Sequence, residues 1–153
     1  MEFGWINLFG ACIVVLILIP NVVYALKAKN DTRPENHLPA FLSLCEQIGR
    51  YACLVLMWLP LLVGKFGFGS VFGLMAYVLL NGILIIAYFI LWAVYVKRAS
   101  LAAGLALAAI PTAIFLLSGL LLRHRLLTAA AVLFGAAHIT ITYLTHRRKD
   151  PPA

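Results

Sequence analysis

The sequence predicts an all-α fold: a polytopic membrane bundle of five transmembrane helices, with the N-terminus outside and the C-terminus cytoplasmic. Three observations carry this expectation. Hydrophobic residues make up 64% of the 153 and charged residues only 11%, where soluble domains average about 45–50% and about 25%. The apolar residues gather into five continuous stretches, each close to the roughly 20 residues that cross a hydrocarbon core of about 30 Å. The Lys and Arg residues cluster beside alternate connections. At a mean hydropathy of +1.02 the chain has too little polar surface for a soluble enzyme, a nucleic-acid binder or a disordered segment. It reads as one transmembrane domain over residues 1–153.

The first helix is expected over about 4–26, followed by a polar connection from Lys27 to Pro39. The second is expected over about 40–63 and contains Glu46 and Arg50. Gly64-Lys65-Phe66-Gly67-Phe68-Gly69 then reads as a turn. It is no phosphate cradle, since no strand precedes it and no Lys-Ser/Thr pair follows. The third helix is expected over about 70–96, ended by Lys97-Arg98, and the fourth over about 99–122, ended by Arg123-His124-Arg125. The fifth is expected over about 126–145, before His146-Arg147-Arg148-Lys149. Strands are not expected, because membrane barrels need short segments of alternating polarity.

Cytoplasmic loops keep an excess of Lys and Arg. Five spans put Lys27, Lys29, Arg33, Lys97, Arg98, Arg147, Arg148 and Lys149 on one side, against Lys65, Arg123 and Arg125 on the other. The formal charge of +7 is therefore an orientation signal for a multi-pass protein of the bacterial inner (cytoplasmic) membrane, with attraction to anionic lipid headgroups. The start, with Glu2 and no early Lys or Arg, does not read as a signal peptide. Asn30-Asp31-Thr32 fits the glycosylation pattern but falls on the expected cytoplasmic side. Cys12, Cys45 and Cys53 form no C-x-x-C pair and have no zinc-like His spacing, so they read as packing residues, with no metal and no cofactor expected.

The polar residues inside the apolar stretches carry the functional information, since each charge there costs roughly 2.5–3.5 kcal/mol on insertion scales. Glu46 and Arg50 lie i, i+4 on one face of the second helix. At 1.5 Å per residue Arg50 is roughly 15 Å from the helix start, too deep to snorkel easily. Asn21 on the first helix, and His138 with Thr142 one turn on in the fifth, fall at a similar depth. Pro111 frees a carbonyl in the middle of the fourth helix. One face of the third helix carries Tyr77, Asn81, Tyr88, Trp92 and Tyr95. Each residue also has a plain structural reading. Glu46–Arg50 serves equally well as an ion pair locking helices, and His138, Thr142 and Asn81 as interhelical hydrogen-bonding groups. Tyr77 and Tyr95 read as interface aromatics. The small-residue rows Ser100/Gly104/Ala108 and Ala131/Gly135 join either the fourth helix to the fifth or two subunits.

The strings Glu46-Gln47-Ile48-Gly49-Arg50-Tyr51, Asn81-Gly82, Ile110-Pro111 with Ser118-Gly119, and His138-Ile139-Thr140-Ile141-Thr142-Tyr143 resemble those of small five-helix membrane proteins of bacteria. That resemblance implies the fold and transfers no function. The tryptophan-rich translocator-protein family is similar in size and helix count only. Its first loop is rich in Trp and Pro, whereas Lys27 to Pro39 contains no Trp, so its ligand site is not carried over.

The leading expectation is an intramembrane site for binding, and by extension transporting, a small polar or charged solute. Glu46 and Arg50 form its charged centre, Asn21, Asn81, His138 and Thr142 its hydrogen-bonding groups, and Tyr88 and Trp92 an apolar wall. The alternative is an accessory or assembly subunit of a membrane complex, in which the Glu–Arg pair is architectural. A membrane enzyme acting on lipid ranks last, because no paired acidic motif, metal cluster or nucleophile–base spacing is present. The expected partners are the bilayer, the solute and either a second copy or a membrane partner, with no nucleic acid.

Overall fold

The computed structural model of the chain describes residues 2–4, 6–28, 39–59, 61 and 66–149. The 29–38 connection with its glycosylation pattern, Gly64, Lys65 and residues 150–153 lie outside them. Five helices dominate: α1 (Leu8–Ala28), α2 (Ala40–Trp58), α3 (Val71–Lys97), α4 (Leu101–Leu121) and α5 (Arg125–Lys149). All five are long and apolar enough to cross a membrane. Large apolar side chains such as Phe41 and Phe72 point outward.

The helix ends follow local chemistry. Asn7 precedes α1, and its Oδ1 accepts from the Gly10 backbone N–H at 2.9 Å. Ser70 and Ser100 cap α3 and α4 in the same way, accepting from Gly73 and Ala103. Each satisfies one of the four backbone donors left over at a helix start. His124 does this for α5 through Nδ1, which accepts from Leu127 N–H at 3.2 Å.

Three boundaries differ from expectation. α1 starts at Leu8, not near residue 4, because Glu2–Gly4 (β1) pairs antiparallel with Phe66–Gly67 (β2). The expectation of no strands is corrected to this extent: a short ribbon joins the N-terminus to the glycine-rich segment. α2 ends at Trp58, five residues short of the expected 63, with Leu59 extended. The sequence reason is Pro60, since a residue before proline is pushed out of the helical region. α5 runs past Thr145 to Lys149, where basic side chains favour a helix C-terminus.

α1 packs on α2 and α3, α2 on α5, α5 on α4, and α4 on α3, with a minor α2–α4 contact. The five helices therefore close a ring in the order α1-α2-α5-α4-α3. The α4–α5 interface is the most extensive, and the small-residue rows lie in it. A Cβ on Gly104 would meet the His146 ring at 2.7 Å, and one on Gly119 would meet Thr128 at 2.6 Å. On the α2–α5 side Gly49 lies against the Phe134 backbone, where a Cβ would come within 2.8 Å. These glycines set how closely three of the helices approach.

Candidate functional site

The ring borders a cavity of about 470 Å³, partly open to the outside and lined from all five helices. It occupies the half of the bundle where α1, α3 and α5 finish. Asn21 and Tyr24 line it from α1, Arg50 from α2, Tyr88, Trp92 and Tyr95 from α3, Pro111 and Phe115 from α4, and Phe134, His138, Thr142 and His146 from α5. Six of the eight residues expected at a site thus share one cavity.

A seventh, Glu46, supports the site from behind. Its Oε1 accepts from Arg50 one turn on and also pairs with His138 Nδ1 at 2.8 Å. Glu46 is nearly buried, whereas the Arg50 side chain keeps 44% of its surface. Arg50 is among the cavity's lining residues and Glu46 is not. A guanidinium carries five N–H donors, so one bond to Glu46 leaves others for a second acceptor. The His138 ring is held on both sides, stacked on Phe134 at 4.9 Å between centroids and bonded to Glu46. Thr142 points its hydroxyl at the His138 carbonyl at 2.8 Å and so belongs to the scaffold of α5.

Across the cavity the Asn21 amide donates to the Tyr88 hydroxyl at 3.0 Å and to the Ile17 carbonyl at 3.0 Å. The Tyr88 oxygen is thereby an acceptor already engaged, which leaves its own proton free to donate. Arg50 lies within electrostatic reach of that hydroxyl.

Asn81 stands apart from this cavity. It is fully buried towards the opposite end, donating to the Tyr77 carbonyl at 2.8 Å and accepting from Ser118 at 3.4 Å. Tyr77 is also wholly buried, which corrects its reading as an interface aromatic. Among the described residues its hydroxyl has no partner at hydrogen-bond geometry, although the Asn7 and Ser118 side chains are polar groups beside it.

Cavity residues that escaped the sequence reading include Tyr24, Phe115, Phe134 and His146, and Tyr95 as a lining group. His138, Thr142 and His146 recur at i, i+4 and i+8, one helical face, so His146 had a signal. It stands within 3.3 Å of the Tyr95 hydroxyl. Tyr24 lies three residues after Asn21 and meets Trp92 at 5.2 Å. Between α4 and α5, burial lowers the pKa of His124, whose Nε2 is enclosed without a partner among the described residues.

Among the described residues no three His, Cys, Asp or Glu side chains come together as a metal site. Comparisons with protein-family models, with curated proteins and with solved structures give no match, and the functional reading rests on this geometry.

Proposed function

We propose that the chain is a multi-pass protein of the bacterial inner membrane, N-terminus outside, whose central cavity binds a small solute through an acidic group and passes it across the bilayer. The observation that carries this reading is the state of Arg50. It is paired with Glu46 on its own helix and also lines a cavity that all five helices line. A charged side chain at that depth is costly unless it is paired or used, and its place on the lining supports use as well as pairing. His138 shares the Glu46 oxygen, so α5 holds the carboxylate that anchors the guanidinium. The cavity size falls within the roughly 300–1,000 Å³ of small-molecule sites.

The test is ligand-induced stabilisation of the purified protein with a panel of small carboxylates and phosphates. The expected result is a rise in Tm with at least one of them, lost in Arg50→Gln and Glu46→Ala variants that keep wild-type helicity and monodispersity. Unchanged stabilisation in both variants would sink the site assignment.

The alternative of an accessory subunit is favoured by one observation: the Glu46–His138 contact ties α2 to α5, which is an architectural duty. A double replacement of Glu46 and Arg50 by apolar residues decides between the two. Full function in a folded double variant would support the architectural reading.

A further inference from the structure

The chemistry of the cavity walls narrows the solute class, an inference that rests on the solute-binding reading above. The ionic side chain on the lining is a cation, paired from behind with Glu46. Among the described lining residues there is no Asp or Glu. The exposed residues Lys97, Arg98 and Arg147 stand at the same end of the bundle. A cleft lined by one sign of charge concentrates the opposite sign, so an amine is disfavoured and an anion drawn in. The hydrogen-bonding polarity agrees. Arg50 has only donors, and the Tyr88 oxygen already accepts from Asn21 and leaves its proton to give.

The rest of the wall mixes aliphatic side chains, among them Leu18, Leu54, Leu107 and Ile141, with two runs of rings. On the α1–α3 side Tyr24, Trp92 and Tyr95 form one continuous run, with successive centroids 5.2 and 6.0 Å apart. On the α4–α5 side Phe115, Phe134 and His138 form another, at 6.0 and 4.9 Å. The helix ring puts α5 opposite the α1–α3 edge, so the two runs stand on different sides of one space. Leucine or valine walls would suit a flexible acyl chain equally well. Rings on both sides favour a flat π-system, which gains offset-stacked or edge-to-face contacts beyond simple burial. Arg50 meets the second run at His138 through their shared carboxylate, so an acidic group on the guanidinium holds an attached ring among these walls.

We propose that the cavity binds a planar aromatic carboxylate, with its carboxylate on Arg50 and Tyr88 and its rings between the Trp92 and Phe134 walls. The test compares three probes on the wild-type full-length protein in nanodiscs by calorimetry: 2-naphthoate, its fully saturated decalin carboxylate and 2-naphthylmethylammonium. The expected result is binding of 2-naphthoate about tenfold or more tighter than the saturated acid, with no binding of the ammonium. Trp92→Leu is expected to bring the two acids close to equal, and Arg50→Gln to lose both. If the variants fail to fold, the wild-type comparison decides alone. Equal affinity for the two acids would overturn the aromatic assignment and leave the acidic-solute reading standing. Binding of neither acid would overturn both, and preference for the ammonium would overturn the assigned charge.

Discussion

Glu46 on α2 and His138 on α5 meet at 2.8 Å across 92 residues of sequence, and through this contact the intrahelical Glu46–Arg50 pair becomes interhelical. Arg50 alone, at i+4, would bind Glu46 in an isolated helix. The histidine adds a second helix to the same oxygen and fixes the ring that Phe134 stacks upon. The charged centre and the α2–α5 interface are consequently one structure. A change to either is expected to register in the other.

The first prediction follows from that pairing. Glu46→Gln keeps the side-chain size and withdraws the charge from Arg50. Breaking a fully buried pair costs about 3–5 kcal/mol, and the expected loss here is nearer 2 kcal/mol, because the Arg50 side chain is 44% exposed. Replacing both residues, by Glu46→Leu with Arg50→Met, is expected to recover most of the stability while abolishing solute binding. Equilibrium unfolding in mixed micelles checks the first figure. A double variant less stable than Glu46→Gln alone would contradict the argument.

Two glycines give a paired prediction on packing. A Cβ at Gly49 would stand 2.8 Å from the Phe134 backbone, whereas one at Gly82 would meet nothing within 4 Å. Gly49→Ala is expected to destabilise by about 1–3 kcal/mol, the usual cost of overpacking, and to shift α2 away from α5 with loss of the Glu46–His138 contact. Gly82→Ala is expected to be neutral or to stabilise by up to about 1 kcal/mol through helix propensity. Thermal unfolding of the two variants side by side is the check. Similar effects would mean that Gly49 does not set the helix separation.

The contrast between those glycines shows what the sequence made legible and what it did not. Five helices could be read from hydropathy and length alone. So could the depth of Asn21, Arg50 and His138, because rise per residue converts position into height. Sharing a face does not guarantee sharing a site, however. Asn81 sits on the face that also holds Tyr88 and Trp92, yet the long α3 carries it past the cavity to Ser118. The Gly49–Phe134 approach was invisible because its partner is backbone on another helix. The β1–β2 ribbon was invisible because three residues of strand have no periodicity to detect.

His124 gives a prediction with a defined sign. Its Nδ1 must stay unprotonated to accept from Leu127 and cap α5, and its Nε2 is enclosed without a partner among the described residues. Burial accordingly lowers its pKa from the ordinary 6.5. A lowered folded value means that the unfolded chain takes up the proton first as pH falls. The stabilising contribution is full above about 6.5 and declines as pH drops through the interval down to the folded pKa. His124→Asn keeps a capping acceptor and removes the titration. Wild type is expected to lose Tm between pH 7.5 and 5 relative to this variant, with both measured in the same detergent. Parallel Tm–pH curves would refute it.

The remaining prediction concerns the end of the bundle opposite the cavity. Asn7 does two things there: its Oδ1 caps α1 through Gly10, and its Nδ2 donates to the Met57 carbonyl at 3.0 Å. Tyr77, beside it, is wholly buried with its hydroxyl unpaired among the described residues. The two residues should therefore respond to truncation in opposite directions. Asn7→Ala removes a cap, worth about 0.5–2 kcal/mol, and leaves a buried carbonyl without its side-chain donor, which adds about 1 kcal/mol or more. Tyr77→Phe deletes only a hydroxyl whose burial is uncompensated. It retains the ring packed on Phe68 at 5.1 Å and is expected to stabilise by up to about 1 kcal/mol. Unfolding measurements on the two single variants test both signs. Since neither residue lines the cavity, solute binding should survive in Tyr77→Phe. A destabilised Tyr77→Phe protein would mean that the hydroxyl is paired, through Asn7 or Ser118, in the folded protein.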